Sequence, residues 1–119
     1  DMLSGELSCL FKKPSLERRQ LIAKQPDGDT MKAAAHLSAA KDAIAALPAS
    51  VTPDEAKAAL MPYADGISKE DGGRGAVLWP LRYALSGLER SPDPFTLISL
   101  LGPAESLSRI ETALGILGE

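Results

Sequence analysis

The sequence predicts an all-α protein, a compact bundle of about five to six short helices. Three observations carry that expectation. Alanine and leucine dominate the 119 residues while aromatic residues make up only 4%, a balance that favours close-packed helices over sheets. Helix starts recur in a form that is hard to read otherwise: Thr52-Pro53-Asp54-Glu55, Asp93-Pro94 and Gly102-Pro103 each set a proline at a first helical position, where its missing amide is no loss. Finally, no stretch alternates apolar and polar residues for long enough to form a strand.

Taken in order, the chain opens at Asp1 without a methionine, with an apolar cluster of Leu7, Cys9, Leu10 and Phe11, and reads as the truncated or processed start of a longer parent. Ser15 is the candidate N-cap of a loosely amphipathic helix through about Ala23. Gln25-Pro26-Asp27-Gly28 has the composition of a turn. Asp29 or Thr30 then caps a long helix to about Leu47, where Pro48 stops it. Leu37, Ala40, Ile44 and Leu47 recur at three- and four-residue steps and share one face, with Lys41 and Asp42 on the other.

Thr52 and Glu55 are spaced for a reciprocal capping box, and Ala56, Ala59 and Leu60 form the inner side of the helix that follows. Pro62 is expected to end or kink it. Asp71-Gly72-Gly73-Arg74-Gly75 reads as a flexible break. From Ala76 to Ser86 the positions of Val77, Leu78, Leu81 and Leu85 are helical, Gly87 suits a left-handed C-terminal cap, and Pro80 should kink the helix or break its first turn. Asp93 and Pro94 start a short helix that Gly102 ends. The last helix follows, with Leu107, Ile110, Leu114 and Leu117 as an apolar stripe.

Composition narrows the function without naming it. A single domain of this length can bury a core without metal or disulfide. One Cys9 and one His36 cannot form a disulfide or a zinc cage. No apolar run reaches a membrane span and no basic-then-apolar leader is present, so a cytoplasmic protein without membrane contact is expected. The net charge of −3 argues mildly against a nucleic-acid-coating surface, yet Lys12, Lys13, Arg18, Arg19 and Lys24 cluster near the start. An acidic domain can still read RNA where a few arginines meet splayed bases.

Catalytic chemistry finds no constellation. The Gly-Gly-Arg-Gly of residues 72–75 lacks the preceding strand and the Gly-Lys-Ser/Thr of a phosphate-binding loop. His36 has no second histidine or patterned acid beside it and reads as a packed or surface residue, and Cys9 as a small apolar one. The pairs Asp54-Glu55 and Glu70-Asp71 are adjacent, and adjacent residues of a helix do not face each other. No serine lies in a nucleophile elbow. The best candidate is the turn around Trp79-Pro80-Leu81-Arg82, where an indole and a planar five-donor guanidinium suit stacking and base-edge hydrogen bonds. The plain alternative is a core tryptophan beside a solvated arginine.

One resemblance covers residues 72–117. The run Val77-Leu78-Trp79-Pro80-Leu81-Arg82-Tyr83-Ala84-Leu85-Ser86-Gly87 is followed by Ser91-Pro92-Asp93-Pro94-Phe95, then Leu97-Ile98-Ser99-Leu100-Leu101-Gly102, then Arg109-Ile110-Glu111-Thr112-Ala113-Leu114. It resembles the C-terminal anticodon-binding end of bacterial-type glutamyl-tRNA synthetases, class I enzymes in which PLR-x-AL-[TS]-G precedes S-P-x-x-F and a last helix bearing R-[IL]-E-x-AL. The resemblance implies that residues 1–28 are the tail of a preceding anticodon-binding subdomain and 29–119 the C-terminal helical one. It implies tRNA-Glu as partner, through its anticodon loop, with Arg82, Pro80, Leu81, Ser91, Pro92, Pro94 and Phe95 at the anticodon, beside which Trp79 is a candidate stacking surface, and with Lys12, Lys13, Arg18 and Arg19 on the backbone.

By the same resemblance the chain has no active site of its own. A catalytic domain of the same parent chain would attach glutamate with ATP and Mg2+, and the fragment would be a monomer. Two departures stand out: the family commonly has Gly-Leu where this chain has Asp93-Pro94, and a small or polar residue where it has Trp79. Asp93 adds charge near a polyanion unless it caps the helix. The runner-up reading is a helical protein-interaction module without RNA contact, presenting the Leu107, Ile110, Leu114 and Leu117 stripe to a partner.

Overall fold

The computed structural model describes residues 16–25, 28–87 and 93–118. Among them lie six α-helices and no strand: α1 (Arg18–Leu21), α2 (Thr30–Ala45), α3 (Pro53–Asp65), α4 (Gly73–Ser86), α5 (Pro94–Leu101) and α6 (Pro103–Leu117), with a 3-10 turn at Lys69–Asp71. The all-α expectation holds.

Local chemistry accounts for most helix starts. The Asp29 carboxylate accepts the Lys32 amide at 3.1 Å and opens α2. Thr52 and Glu55 form the reciprocal box, the Thr52 hydroxyl accepting the Glu55 amide at 3.1 Å and the Glu55 carboxylate accepting the Thr52 amide at 3.0 Å. At the far end of α4, Gly87 takes φ 72° and donates its amide to the Tyr83 carbonyl, a left-handed cap that a side chain would strain.

Four expectations are corrected. The first helix is a single turn, Arg18–Leu21, with Glu17 at its N-cap; Ser15 lies outside the described residues. The long helix α2 stops at Ala45, and the Leu47 amide returns to the Ile44 carbonyl in a tightened turn. Of the two outcomes expected at Pro62, an end or a kink, the end does not occur, since α3 runs on to Asp65. The glycine run is no flexible break: Gly72, at φ 99°, closes the 3-10 turn, and Gly73, Arg74 and Gly75 already belong to α4. The Arg74 guanidinium pairs with Asp65 of α3 across that junction.

Pro80 sits inside α4 without ending it. A proline has no amide to give the carbonyl four residues back, here that of Ala76. The Gln25 side-chain amide supplies the missing donor, reaching the Ala76 carbonyl at 2.5 Å from 51 residues away in sequence.

One core holds the helices together. Leu37, Ala40 and Ile44 of α2, Ala56 and Leu60 of α3, Leu81, Ala84 and Leu85 of α4, Leu97 and Ile98 of α5, and Ile110 and Ala113 of α6 form a continuous buried cluster, and Leu21 of α1 joins it. α2 lies along α6, α3 against α5, and α4 touches all the other helices. The radius of gyration, 13.2 Å, is that of a closely packed domain of about a hundred residues. The stripe of α6 faces this core: Ile110 and Leu117 are buried, and Leu107 and Leu114 pack against the cluster from its rim.

Candidate nucleic-acid interface

The apolar spacing of α4 decides what its signature residues face. Pro80, Leu81, Ala84 and Leu85 point inward and are buried, whereas Leu78, Trp79 and Arg82 are half-buried on the outer side. Pro80 and Leu81 therefore underlie the turn, and Trp79 and Arg82 form its surface.

Trp79 is fixed in place. Its indole N–H donates to the Gln20 carbonyl at 2.6 Å, so the polar edge of the ring is satisfied by α1. Two cations approach the same ring: the Arg82 guanidinium carbon lies 5.2 Å and the Lys24 ammonium nitrogen 5.4 Å from its centroid, both within the range of a cation–π contact. The sequence had Lys24 only as one of a basic cluster, and nothing in it brings that residue to Trp79.

The start of α5 is the second part of the motif. Asp93 is the N-cap: its carboxylate accepts the Thr96 amide at 2.9 Å and the Thr96 hydroxyl at 2.8 Å. Partial burial pushes the Asp93 carboxyl up, but these bonds and the nearby backbone amides of Asp93 and Phe95 outweigh it, so it titrates below its ordinary value. The departure from Gly-Leu is thus a capping residue whose charge is spoken for by the helix end. Pro94 is buried at the first helical position and Phe95 is half-buried. Asp93, Phe95 and Thr96 line a cleft of about 340 Å³ with Pro53, Asp54 and Lys57 of α3. The Ser99 hydroxyl donates to the Val51 carbonyl at 2.8 Å and ties α5 to the start of α3.

Ser91 and Pro92 lie outside the described residues, as do Lys12 and Lys13. Arg18 and Arg19 are exposed on α1. Arg18 donates to the Leu117 carbonyl at 3.0 Å, at the C-terminal end of α6, and Arg19 pairs with Glu17 at 2.6 Å.

Arg109, from the R-[IL]-E motif of the last helix, has a structural part that the sequence did not indicate. It is 2% exposed. Its guanidinium donates to the Leu85 carbonyl at 2.7 Å and to the Glu105 carboxylate at 2.8 Å. The carbonyls of a last helical turn have no partner within their helix, and here a charged donor from α6 takes one of them at the end of α4.

His36 is buried, as a packed residue should be, with Nδ1 at 2.8 Å from the Tyr63 hydroxyl. Among the described residues no group of three or more histidine, cysteine, aspartate or glutamate side chains is placed to hold a metal ion. Nor is any described helix long and apolar enough to cross a membrane.

Comparison with known proteins shows the family of the chain. Residues 3–114 match the family model described as "Anticodon binding domain". Among curated proteins, the chain is 39% identical over 83 residues to a glutamate–tRNA ligase of Anaeromyxobacter sp. (strain K), covering 70% of this chain and 17% of that protein. It is 37% identical over 114 residues to glutamate–tRNA ligase 2 of Rhizorhabdus wittichii, covering 95% of this chain and 22% of the relative. The chain therefore spans about a fifth of the length of these relatives.

Proposed function

The chain belongs to the anticodon binding domain family, and on that premise we propose that it reads the anticodon loop of tRNA-Glu as one part of a longer glutamate–tRNA ligase. The observation that carries the proposal is the outer face of α4, where Arg82 lies against a tryptophan anchored by its own N–H. An unstacked RNA base is recognised by stacking and by hydrogen bonds to its edges, and a planar guanidinium beside an indole, 5.2 Å from its centroid, is the kind of group that reads such an edge. Phe95, half-buried beside the cleft at the start of α5, supplies a second aromatic surface.

In this reading Trp79, Arg82 and Phe95 meet bases directly, and Ser91, Pro92 and Pro94 contribute to the same anticodon contact. Pro80 and Leu81 hold the turn from beneath. Arg18 and Arg19, with Lys12 and Lys13, lie along the RNA backbone, where they add affinity rather than sequence preference. The division at residue 28 marks the junction with the preceding anticodon-binding subdomain. Glutamate attachment, with ATP and Mg2+, belongs to the catalytic domain of the parent chain, in the cytoplasm, and the chain acts as a monomer. The protein-interaction reading has lost the surface that motivated it, because the α6 stripe is spent on the core.

The test is a titration of the chain with an anticodon stem-loop of tRNA-Glu, followed by the fluorescence of Trp79, its only tryptophan. Saturable quenching that disappears with a scrambled loop, falls steeply with salt and weakens roughly tenfold or more in Arg82→Ala is expected, since losing one base-reading arginine costs about 1–3 kcal/mol. Equal binding of both loops, or an Arg82→Ala variant as tight as the parent, contradicts the proposal.

A further inference from the structure

Lys24 is brought to Trp79 by a chain of local causes. Pro80 leaves the Ala76 carbonyl without its helical donor, and Gln25 fills the gap at 2.5 Å. Five residues earlier, the Gln20 carbonyl takes the Trp79 N–H at 2.6 Å. The segment between is folded back on itself, the Ala23 amide returning to the Gln20 carbonyl and the Gln25 amide to the Ile22 carbonyl. Lys24 therefore lies between two anchor points on α4, exposed, with its ammonium 5.4 Å from the indole centroid.

Charge makes this placement notable. The protein is acidic, at −3, and Arg19, Lys32, Lys41, Arg74 and Arg109 each have a carboxylate partner. Among the described residues no carboxylate lies within salt-bridge distance of Lys24. It instead approaches the Trp79 indole, which the Arg82 guanidinium also approaches, so two cationic side chains meet at one ring of a negative molecule. Lysine is a compact point charge suited to a phosphate, whereas the planar fork of arginine suits a base edge.

We propose that Lys24 is an RNA-backbone contact of this same interface, taking a phosphodiester of the single-stranded loop while Arg82 meets the adjoining base, with the Trp79 indole as their common floor. The inference rests on the anticodon-loop reading given above and adds to it a residue from outside the α4–α5 motif.

The number of phosphates neutralised is read from the salt dependence of binding, whose slope in log K against log salt is about −0.7 per phosphate for single strands. The slope is measured with the anticodon stem-loop for the parent chain, Lys24→Gln, Lys24→Arg and, as a control outside this interface, Lys41→Gln, whose ammonium pairs with Glu111 of α6. Lys24→Gln should flatten the slope by about 0.7, and Lys24→Arg should keep it. A purely structural role, packing against the indole, would lower affinity without changing the slope. An unaltered slope in Lys24→Gln therefore overturns the proposal, as does equal flattening in Lys41→Gln. A parent chain that binds a scrambled loop equally well removes the underlying reading as well, and titration with the scrambled loop alone tells that outcome apart.

Discussion

Gln25 donates its side-chain amide to the Ala76 carbonyl at 2.5 Å, and that carbonyl is the one Pro80 leaves orphaned in the middle of α4. A buried carbonyl without a donor is costly, on the order of 1–3 kcal/mol. The bond does two things at once: it lets α4 continue through its proline, and it pins the segment that carries Lys24 to the outer face of the helix.

This arrangement predicts a coupled pair. Gln25→Ala should lower the free energy of unfolding by about 1–3 kcal/mol. Pro80→Ala restores a backbone donor for the same carbonyl, so the Gln25→Ala loss should shrink when Pro80→Ala is already present. Urea unfolding of the four proteins in a double-mutant cycle measures that difference. Strict additivity, or a neutral Gln25→Ala, would show that the carbonyl needs no partner.

The same reasoning separates what sequence alone could deliver from what it could not. The caps at Thr52–Glu55, Asp93 and Gly87 were legible because cap and amide lie within four residues of each other. What Pro62 and Pro80 do to their helices was less legible for the opposite reason. Whether a helix survives an internal proline depends on what satisfies the freed carbonyl, and for Pro80 the donor is 51 residues away in sequence. The glycine run misled because glycine is permissive: Gly72 uses its positive φ to end one turn, and α4 begins at the next residue. In the site, Trp79 and Arg82 stood out through their motif, while Lys24 had no local signature that pointed to an indole on another helix.

Arg109 should prove more important to stability than an ordinary charged residue of a last helix. Removing it leaves the Leu85 carbonyl and the Glu105 carboxylate without their shared donor. Arg109→Ala is expected to cost roughly 2–3 kcal/mol in denaturant unfolding, and Arg109→Lys to recover little, because one ammonium cannot span both acceptors with the geometry of a guanidinium. A loss within about 0.5 kcal/mol, the usual effect of a surface substitution, would mean that the buried contacts carry no net stability.

The capping box at the start of α3 makes a smaller and cleaner prediction. Thr52 is exposed, so Thr52→Ala disturbs little besides the bond to the Glu55 amide. A loss of about 1 kcal/mol is expected, and Thr52→Ser or Thr52→Asp should keep most of the stability. Thermal unfolding of the three variants side by side decides it, and equal midpoints for all of them would deny the cap a role.

His36 adds a pH dependence whose sign follows from its surroundings. Burial is the largest influence and lowers its pKa below the ordinary 6.5; Asp71 pulls the other way, and Lys32, itself 3.1 Å from Asp71, adds to the lowering. The folded protein therefore resists a proton that the unfolded chain accepts near 6.5. By linkage, the stability held by neutral His36 is fully present above that value and is lost progressively as the pH falls below it. Its Nδ1 contact with the Tyr63 hydroxyl persists in either tautomeric role, so the neutral ring keeps a partner. Urea unfolding at pH 8, 7, 6 and 5 should show a decline starting near neutrality in the parent chain, and His36→Gln, which cannot titrate, should remove that part of the decline. Carboxylates such as Asp93, held below the ordinary range, lose their contribution only at lower pH, so the two limbs separate. Parallel curves for the parent and His36→Gln between pH 8 and 5 would mean that the buried imidazole takes up its proton as freely in the folded state as in the unfolded one.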